Sequence, residues 1–465
     1  MHKKLQSQGT WIGKWTFIFA ATGSAVGLGN IWGFPYKAGT EGGAAFVLIY
    51  LLCIVVIGIP IMISEILIGR RYGNSPINAM KKSGIESGKS GVWALVGWIG
   101  IIAGILILSF YSVIAGICLN YIYISAFPSG QEASAQFGEV ISSPINLIFW
   151  HTVFMALTMW IVSAGVKDGI GRIVKILMPM LGFLLIFMVF YAVLKGEFLK
   201  ALSFLFAPDF SKITTNTFLT AMGQAFFSLS LGMGSIMAYG AYMSKDQKII
   251  TTSFSVGSLD TLIAVLAGLA IFPIVFAFNT GLGEGPGLVF VSLSEAFNQM
   301  NFGRIIGPLF FILLSVAALS SSISILEPGV AYLAEEGFLR REISAIVISL
   351  LCWYIGIGTA LGFNILSTVD DLGESVNPIL NSLELISVQI LQPLGGLLIA
   401  IFVGWFMKEA LIKSELGNVN KIIYSSWRFF IKFVAPLAVG FIFLSQILPE
   451  SFLVQVKEFF LSLFN

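Results

Sequence analysis

The chain has 465 residues, of which 57% are hydrophobic and 11% charged. Soluble domains carry roughly 25% charged residues, so the composition excludes an ordinary soluble globule and reads as an integral membrane protein. The net charge of +2 says little about partners; membrane lipid is expected, with no nucleic acid and no obligatory protein partner. The two histidines and the cysteines Cys53, Cys118 and Cys352 lie too far apart in sequence for a metal cluster or a disulfide framework and read as packing residues. No nucleophile–base set is visible, so an enzyme is not expected.

Apolar stretches long enough to cross a bilayer run over residues 15–38, 44–69, 92–125, 146–164, 173–195, 217–243, 254–278, 305–334, 343–361, 378–407 and 429–448, eleven in all. Lys3, Lys4 and Lys14 precede the first, but no A-x-A-like cleavage site follows it, so the first span is expected to be retained. With a cytoplasmic N-terminus, the basic segments Arg70 to Lys89, Lys167 to Lys175, Lys245 to Lys248, Arg340–Arg341 and Lys408 to Lys432 all fall inside, as the positive-inside rule requires. Asp370, Asp371 and Glu374 mark an opposite connection. An odd span count then puts the C-terminus outside the cell membrane, with the amphipathic tail Phe452 to Phe464 in the interface.

The first stretch contains AATGSAVGLGNIWGFP, from Ala20 to Pro35, with Gly23, Gly27, Gly29, Gly33 and the polar Asn30. Each interior glycine weakens a helix by about 1 kcal/mol relative to Ala, and an Asn at bilayer depth needs a partner. The stretch therefore reads as a broken helix. Irregular backbone survives in a membrane only where protein buries it or where it lines a cavity. A second break is expected within 217–243, where Ser228, Ser230, Gly232 and Gly234 interrupt GQAFFSLSLGMGSIMAYGAY. Breaks in spans one and six occupy corresponding positions of two five-span halves. That pattern predicts inverted repeats at about 10–200 and 215–410, an additional helix at about 429–448, and a binding site where the half-helices meet. Exposed carbonyls at the breaks suit cations, and the half-helix N-termini suit a carboxylate. Close helix packing through small residues is the alternative use of the same glycines.

These segments resemble the neurotransmitter:sodium symporters, particularly the bacterial sodium-dependent amino-acid transporters. The resemblance covers nearly the whole chain. It rests on GSAVGLGNIWGFPY in span one, GTEGGAAFVLIY and GIPIMISEILIGRRYG around span two, GQAFFSLSLGMG in span six, LAGLAIFP in span seven, LSSSISILEP in span eight and PLGGLLIAIFVGW in span ten. It implies an all-α membrane protein of about 11 transmembrane helices, with two inverted five-helix repeats and broken helices 1 and 6. The activity implied is sodium-coupled symport of an amino acid by alternating access.

The resemblance further implies two sodium ions. One site would use the Ala25 carbonyl, Asn30, Ser228 and Asp260; the other the carbonyls of Gly23, Val26 and Ala317 with the hydroxyls of Ser320 and Ser321. All-oxygen shells of this kind suit a hard cation that must also leave. Taken without the family, serines in membrane helices usually bond back to their own backbone. The substrate pocket implied is Ser24, Ala25, Leu28, Gly29, Ile107, Tyr111, Phe227, Ser228, Ser230, Met233, Ser321 and Ile325, with Tyr111 donating to a substrate carboxylate. From spacing alone, Ile107 and Tyr111 are simply i and i+4 on one helix face. Gly27 stands where the monoamine branch has an Asp, which implies a substrate that brings its own carboxylate: an α-amino acid with a mainly apolar side chain. The implied gates are Tyr111, Phe227, Glu384, Glu335 and Tyr242.

Three positions depart from the family pattern. Gly33 replaces the arginine that would pair with Glu384, with Lys37 one turn on as a substitute; Gln8 replaces the arginine that would pair with Glu335, with Lys14 nearby. Asp260 replaces an Asn. With Ala264 where chloride-independent relatives keep a fixed acid, Asp260 would supply that counter-charge beside Tyr50, Gln224 and Ser228, and chloride would not be required. Glu65 reads as structural capping or as a partner of Arg70 or Arg71. A proton-coupled carrier using Asp260, or a receptor-like member of the fold that has lost transport, are the alternatives.

Overall fold

The computed structural model describes residues 13–281, 285–369 and 375–447, so Gln8, Asp370, Asp371, Glu374 and the tail from Phe452 to Phe464 lie outside the described residues. The chain opens with α1 (Lys14–Ala25) and α2 (Gly29–Thr40), which meet at 56°. It continues with α3 (Ala44–Tyr72), the short α4 (Pro76–Glu86), α5 (Gly91–Ala126), α6 (Pro144–Ser163) and α7 (Val166–Lys195). There follow α8 (Thr215–Ser228), α9 (Ser235–Ala241), α10 (Ile249–Phe278), α11 (Gly303–Glu336) and α12 (Arg341–Gly362). A two-residue hairpin, β1 (Thr368–Val369) with β2 (Ser375–Val376), leads to α13 (Pro378–Phe406), α14 (Glu409–Leu416) and α15 (Lys421–Gln446). Among the described residues nine helices are long and apolar enough to span, and the bent α1–α2 pair makes ten. The halves α8 and α9, separated by residues 229–234, occupy the remaining expected stretch.

Several spans start earlier than their apolar stretches: α7 at Val166 rather than 173, α10 at Ile249 rather than 254, and α15 at Lys421 rather than 429. Helical backbone continues through the interface, where exposed side chains such as Lys167 and Lys421, which hydropathy counts against a span, reach water. The longest helices, α5 and α11, form the centre, 83% buried along their most apolar stretch, whereas α7 is 39% and α15 22% buried. On α7, Phe183, Ile186, Phe190 and Leu194 face outward at helical spacing, more than 60% exposed, as a lipid-facing stripe does.

The first break has a clear local cause. Val26 leaves the helical region (ψ 110°) after donating to the Thr22 carbonyl, and α2 restarts when Asn30 Oδ1 accepts the Gly27 N–H at 3.2 Å. The turn Gly29–Gly33 is wound as a π-helix, a form that favours functional sites. In the second break Ser230, Gly232 and Gly234 all have positive φ, and a Cβ on Gly232 would lie 2.2 Å from the Gln392 carbonyl. The freed Gly232 N–H donates to Glu65 Oε1 at 2.8 Å. Glu65 therefore caps the unwound segment and does not pair with the arginines of its own helix. Arg70 goes to Glu415 at 2.6 Å and Arg71 to Glu86 at 2.6 Å, because both point beyond the end of α3 while Glu65, a turn or more earlier, faces the core. The hydrogen bond from Arg71 holds the Glu86 carboxyl below its ordinary range. Small residues also serve packing. A Cβ on Gly69 would lie 2.0 Å from the Met237 carbonyl, so α3 and α9 touch backbone to backbone and form one unit.

Candidate functional site

Where the two breaks meet α5 and α11 there is a cavity of about 10 Å³, room for the centre of one water-sized sphere. Its lining is Ala25, Gly27, Gly29, Ile107, Tyr111, Phe227, Ser228, Ser230, Met233, Ser321 and Ile325. Four of these side chains, Ile107, Phe227, Met233 and Ile325, make an apolar wall; Tyr111 and the serines make a polar one. Of the expected pocket residues, Ser24 and Leu28 stand just outside the lining and border it through their backbone. The Ser24 carbonyl accepts from Ser230 Oγ (2.8 Å) and Ser321 Oγ (3.2 Å), and the Leu28 N–H donates to Tyr111 Oη at 3.1 Å. Since that oxygen accepts from Leu28, the phenolic proton is left to donate elsewhere.

Beside the cavity lies a wholly buried carboxylate. Asp260 Oδ1 accepts from Asn30 Nδ2 at 2.7 Å, and Oδ2 accepts from Ser228 Oγ at 2.7 Å and Tyr50 Oη at 3.2 Å. Asn30 Nδ2 also reaches Ser228 Oγ at 3.0 Å. Four residues from α2, α3, α8 and α10 thus converge on one point, with Asp260 accepting from the other three. Gln224 is displaced from this group: its Nε2 donates to the Gly29 carbonyl at 2.8 Å and its Oε1 accepts from Lys37 Nζ at 2.9 Å. One turn separates Gln224 from Ser228 on α8, and that turn carries it toward α2 instead of α10.

Part of the other expected ion-binding group lies together, while Ser321 Oγ turns to the Ser24 carbonyl at 3.2 Å and the central cavity. Ser320 Oγ lies 3.0 Å from the Ala317 carbonyl and 3.5 Å from that of Val26, and a Cβ on Gly23 would be 3.3 Å from Ser320 Cβ. These are carbonyls and a hydroxyl from α1, the break after it and α11, with no carboxylate among them.

Phe227 lines both this cavity and a vestibule of about 280 Å³ that also includes Lys37, Gly223, Glu384 and Gln392, and so stands between the two. A Cβ on Gly33 would lie 3.6 Å from Gln224 Oε1. Gly33→Arg is expected to change ligand affinity no more than about fivefold, because Lys37 already serves that oxygen and a solvated pair contributes only about 0–1 kcal/mol. Ligand binding measured with and without the substitution checks this; total loss of binding would mean that the arginine blocks the vestibule.

Toward the other face, Glu335 accepts from Asn74 Nδ2 and, at 2.7 Å, from the Ser75 N–H. Lys14 is exposed. Tyr242 donates to Glu327 Oε1 at 2.7 Å, and Arg341 clamps the same carboxylate at 3.0 and 2.5 Å while reaching the Val162 carbonyl. Sequence reasoning named Tyr242 but missed its partners Glu327 and Arg341, although a glutamate inside the apolar run of LSSSISILEP was a signal that an arginine had to be near. It likewise missed the buried Arg70–Glu415 pair, which Lys245 joins at 2.8 Å.

A helix bundle in which two interrupted helices meet at a buried cavity with one apolar and one polar wall is the architecture of a secondary membrane transporter. The chain matches the sodium:neurotransmitter symporter family over residues 8–130 and 134–457, and it belongs to that family. It is 36% identical to YhdH, an uncharacterized sodium-dependent transporter of Bacillus subtilis, over 94% of this chain and 97% of that one. It is 35% identical to an uncharacterized sodium-dependent transporter of Haemophilus influenzae, over 94% and 98% of the two chains. The crystal structure of MhsT in complex with L-phenylalanine is similar in fold, with a TM-score of 0.86 and 41% identity, covering 94% of this chain and 99% of that one. The protein is accordingly a sodium-dependent multi-pass membrane symporter and not an enzyme.

Proposed function

We propose that the protein takes up a zwitterionic, mainly apolar amino acid by alternating access, driven by two sodium ions and without chloride. The observation that carries this reading is Asp260, a fixed carboxylate that accepts from Asn30, Ser228 and Tyr50 beside the central cavity. Sodium bound among Ala25, Asn30, Ser228 and Asp260 would share that point with the substrate carboxylate. Asn30 turns Nδ2 toward the group and holds Oδ1 against the Gly27 N–H, so the ion's arrival requires the carboxamide to turn and present its oxygen. The second ion would sit among Gly23, Val26, Ala317, Ser320 and Ser321. L-Phenylalanine, the ligand of the similar MhsT structure, suits the wall of Ile107, Phe227, Met233 and Ile325. The same reading takes Tyr111 and Phe227 as the outer gate and the groups around Glu335 and Tyr242 as the inner one. It places the protein in the cell membrane with a cytoplasmic N-terminus, and divides the chain into inverted repeats at about 10–200 and 215–410.

Binding of L-phenylalanine and sodium should be reciprocal, each tightening the other by the same factor. Calorimetry in sodium and in choline measures this; equal affinity in the two buffers overturns the reading. In proteoliposomes, uptake driven by a pH gradient without sodium would favour a proton-coupled carrier, and binding without uptake a receptor-like protein.

A further inference from the structure

Lys37 lies in the second half of the broken first span, where a lysine normally directs its charge outward to water. Its ammonium instead turns inward, to Oε1 of the wholly buried Gln224 at 2.9 Å. Gln224 passes the contact on, its Nε2 donating to the Gly29 carbonyl at 2.8 Å. Gly29 lines the central cavity with Phe227 packed directly on it, since a Cβ there would lie 2.8 Å from the Phe227 ring. The chain of contacts has a direction. An ammonium only donates, so the carboxamide oxygen must face Lys37, and its nitrogen must then face the carbonyl.

We propose that Lys37 is a positioning residue of the outer closure: it sets the direction of the Gln224 carboxamide and thereby holds the Gly29 carbonyl, with the Phe227 partition resting on it, over the central cavity. Glu384 lines the same vestibule and gives the ammonium a second place to go when the partition opens. The role rests on the transport reading above but needs no contact between Lys37 and the substrate.

Two readouts test it: sodium-dependent binding of L-phenylalanine to the purified protein, and maleimide labelling of a Gly223→Cys reporter. Gly223 lines the vestibule with open space around an added Cβ, and the native cysteines Cys53, Cys118 and Cys352 are buried. Lys37→Arg should stay within about threefold of the parent. Lys37→Met should weaken binding about ten- to a hundredfold and speed labelling, as expected for loss of a hydrogen bond to a charged group. Lys37→Glu should be worse still, because a carboxylate accepts from Nε2 and turns the carboxamide oxygen onto the Gly29 carbonyl. Adding Gly33→Arg to Lys37→Met should restore binding and labelling to within about fivefold of the parent, because an arginine there would again donate a charged hydrogen bond to the same buried Gln224 oxygen, 3.6 Å from a Cβ at position 33. Met and Glu variants that behave as the parent, or equal impairment of Arg and Met variants with no rescue from position 33, would overturn the proposal. If the parent binds no L-phenylalanine in sodium, the substrate reading fails, and the labelling series alone still decides the role of Lys37.

Discussion

Gly27→Asp is expected to abolish sodium-dependent amino-acid binding. A Cβ at this position would lie 2.8 Å from Tyr111 Oη, 3.1 Å from Ser321 Cβ and 3.2 Å from Ser321 Oγ, all rim atoms of the cavity. Tyr111 is held by the Leu28 N–H, so it yields poorly. Charge adds to the crowding. Two carboxylates about 4 Å apart repel by about 4 kcal/mol at an effective dielectric near 20, roughly a thousandfold in affinity. Gly27→Asn separates the two effects, since it brings nearly the same bulk without the charge. L-Phenylalanine affinities of the three proteins decide the matter. Parent-like binding by the Asp variant would show that the substrate carboxylate lies elsewhere, and equal loss in Asn and Asp that space alone is at work.

Asp260→Asn is expected to lose uptake at least tenfold in gluconate, or to acquire a requirement for chloride, while the parent works equally well in both anions. Two sodium ions and a zwitterion bring excess positive charge into the centre of the bundle, and an uncompensated charge at a few ångströms costs several kcal/mol. A fixed acid offsets that cost. Its neutral analogue does not, and it turns an NH2 group toward the donors Asn30, Ser228 and Tyr50 that now converge on the carboxylate. If Asp260 releases a proton on loading and regains it on emptying, the return step also carries a proton outward, and sodium-driven uptake should alkalinise the external side's opposite compartment in proteoliposomes. Parent uptake that stops without chloride, or an Asn variant that matches the parent in gluconate, would leave Asp260 as an ordinary sodium ligand.

Much of the site was legible because it is built from features that a membrane penalises. Glycine runs, an Asn at 30 and an Asp at 260 are expensive in hydrocarbon, so each one marks a place where backbone or side chain must find a partner. Their alignment with a family pattern then gave the residues that the fold brings around one cavity. What escaped was pairing across the chain. Nothing in the local sequence tells that Glu65 reaches Gly232 rather than Arg70, or that Arg70 reaches Glu415, 345 positions later. Gln224 shows the limit most plainly: its neighbour Ser228 belongs to the Asp260 group, yet a single turn of α8 directs Gln224 to Gly29 and Lys37.

By itself the sequence determined the solvent, the spans and the two breaks, since hydropathy and glycine content act locally and every freed backbone group must be satisfied within the protein. Only the tertiary structure decided which polar groups satisfy one another. The Asp260 group draws on α2, α3, α8 and α10, the Glu327 group on Tyr242 just past α9, the interior of α11 and the start of α12, and the Lys37 contact on α2 and α8. Hydrogen bonds and ion pairs act over about 3 Å and are directional, so their partners follow from how helices cross and rotate against one another, which no periodicity within one helix encodes.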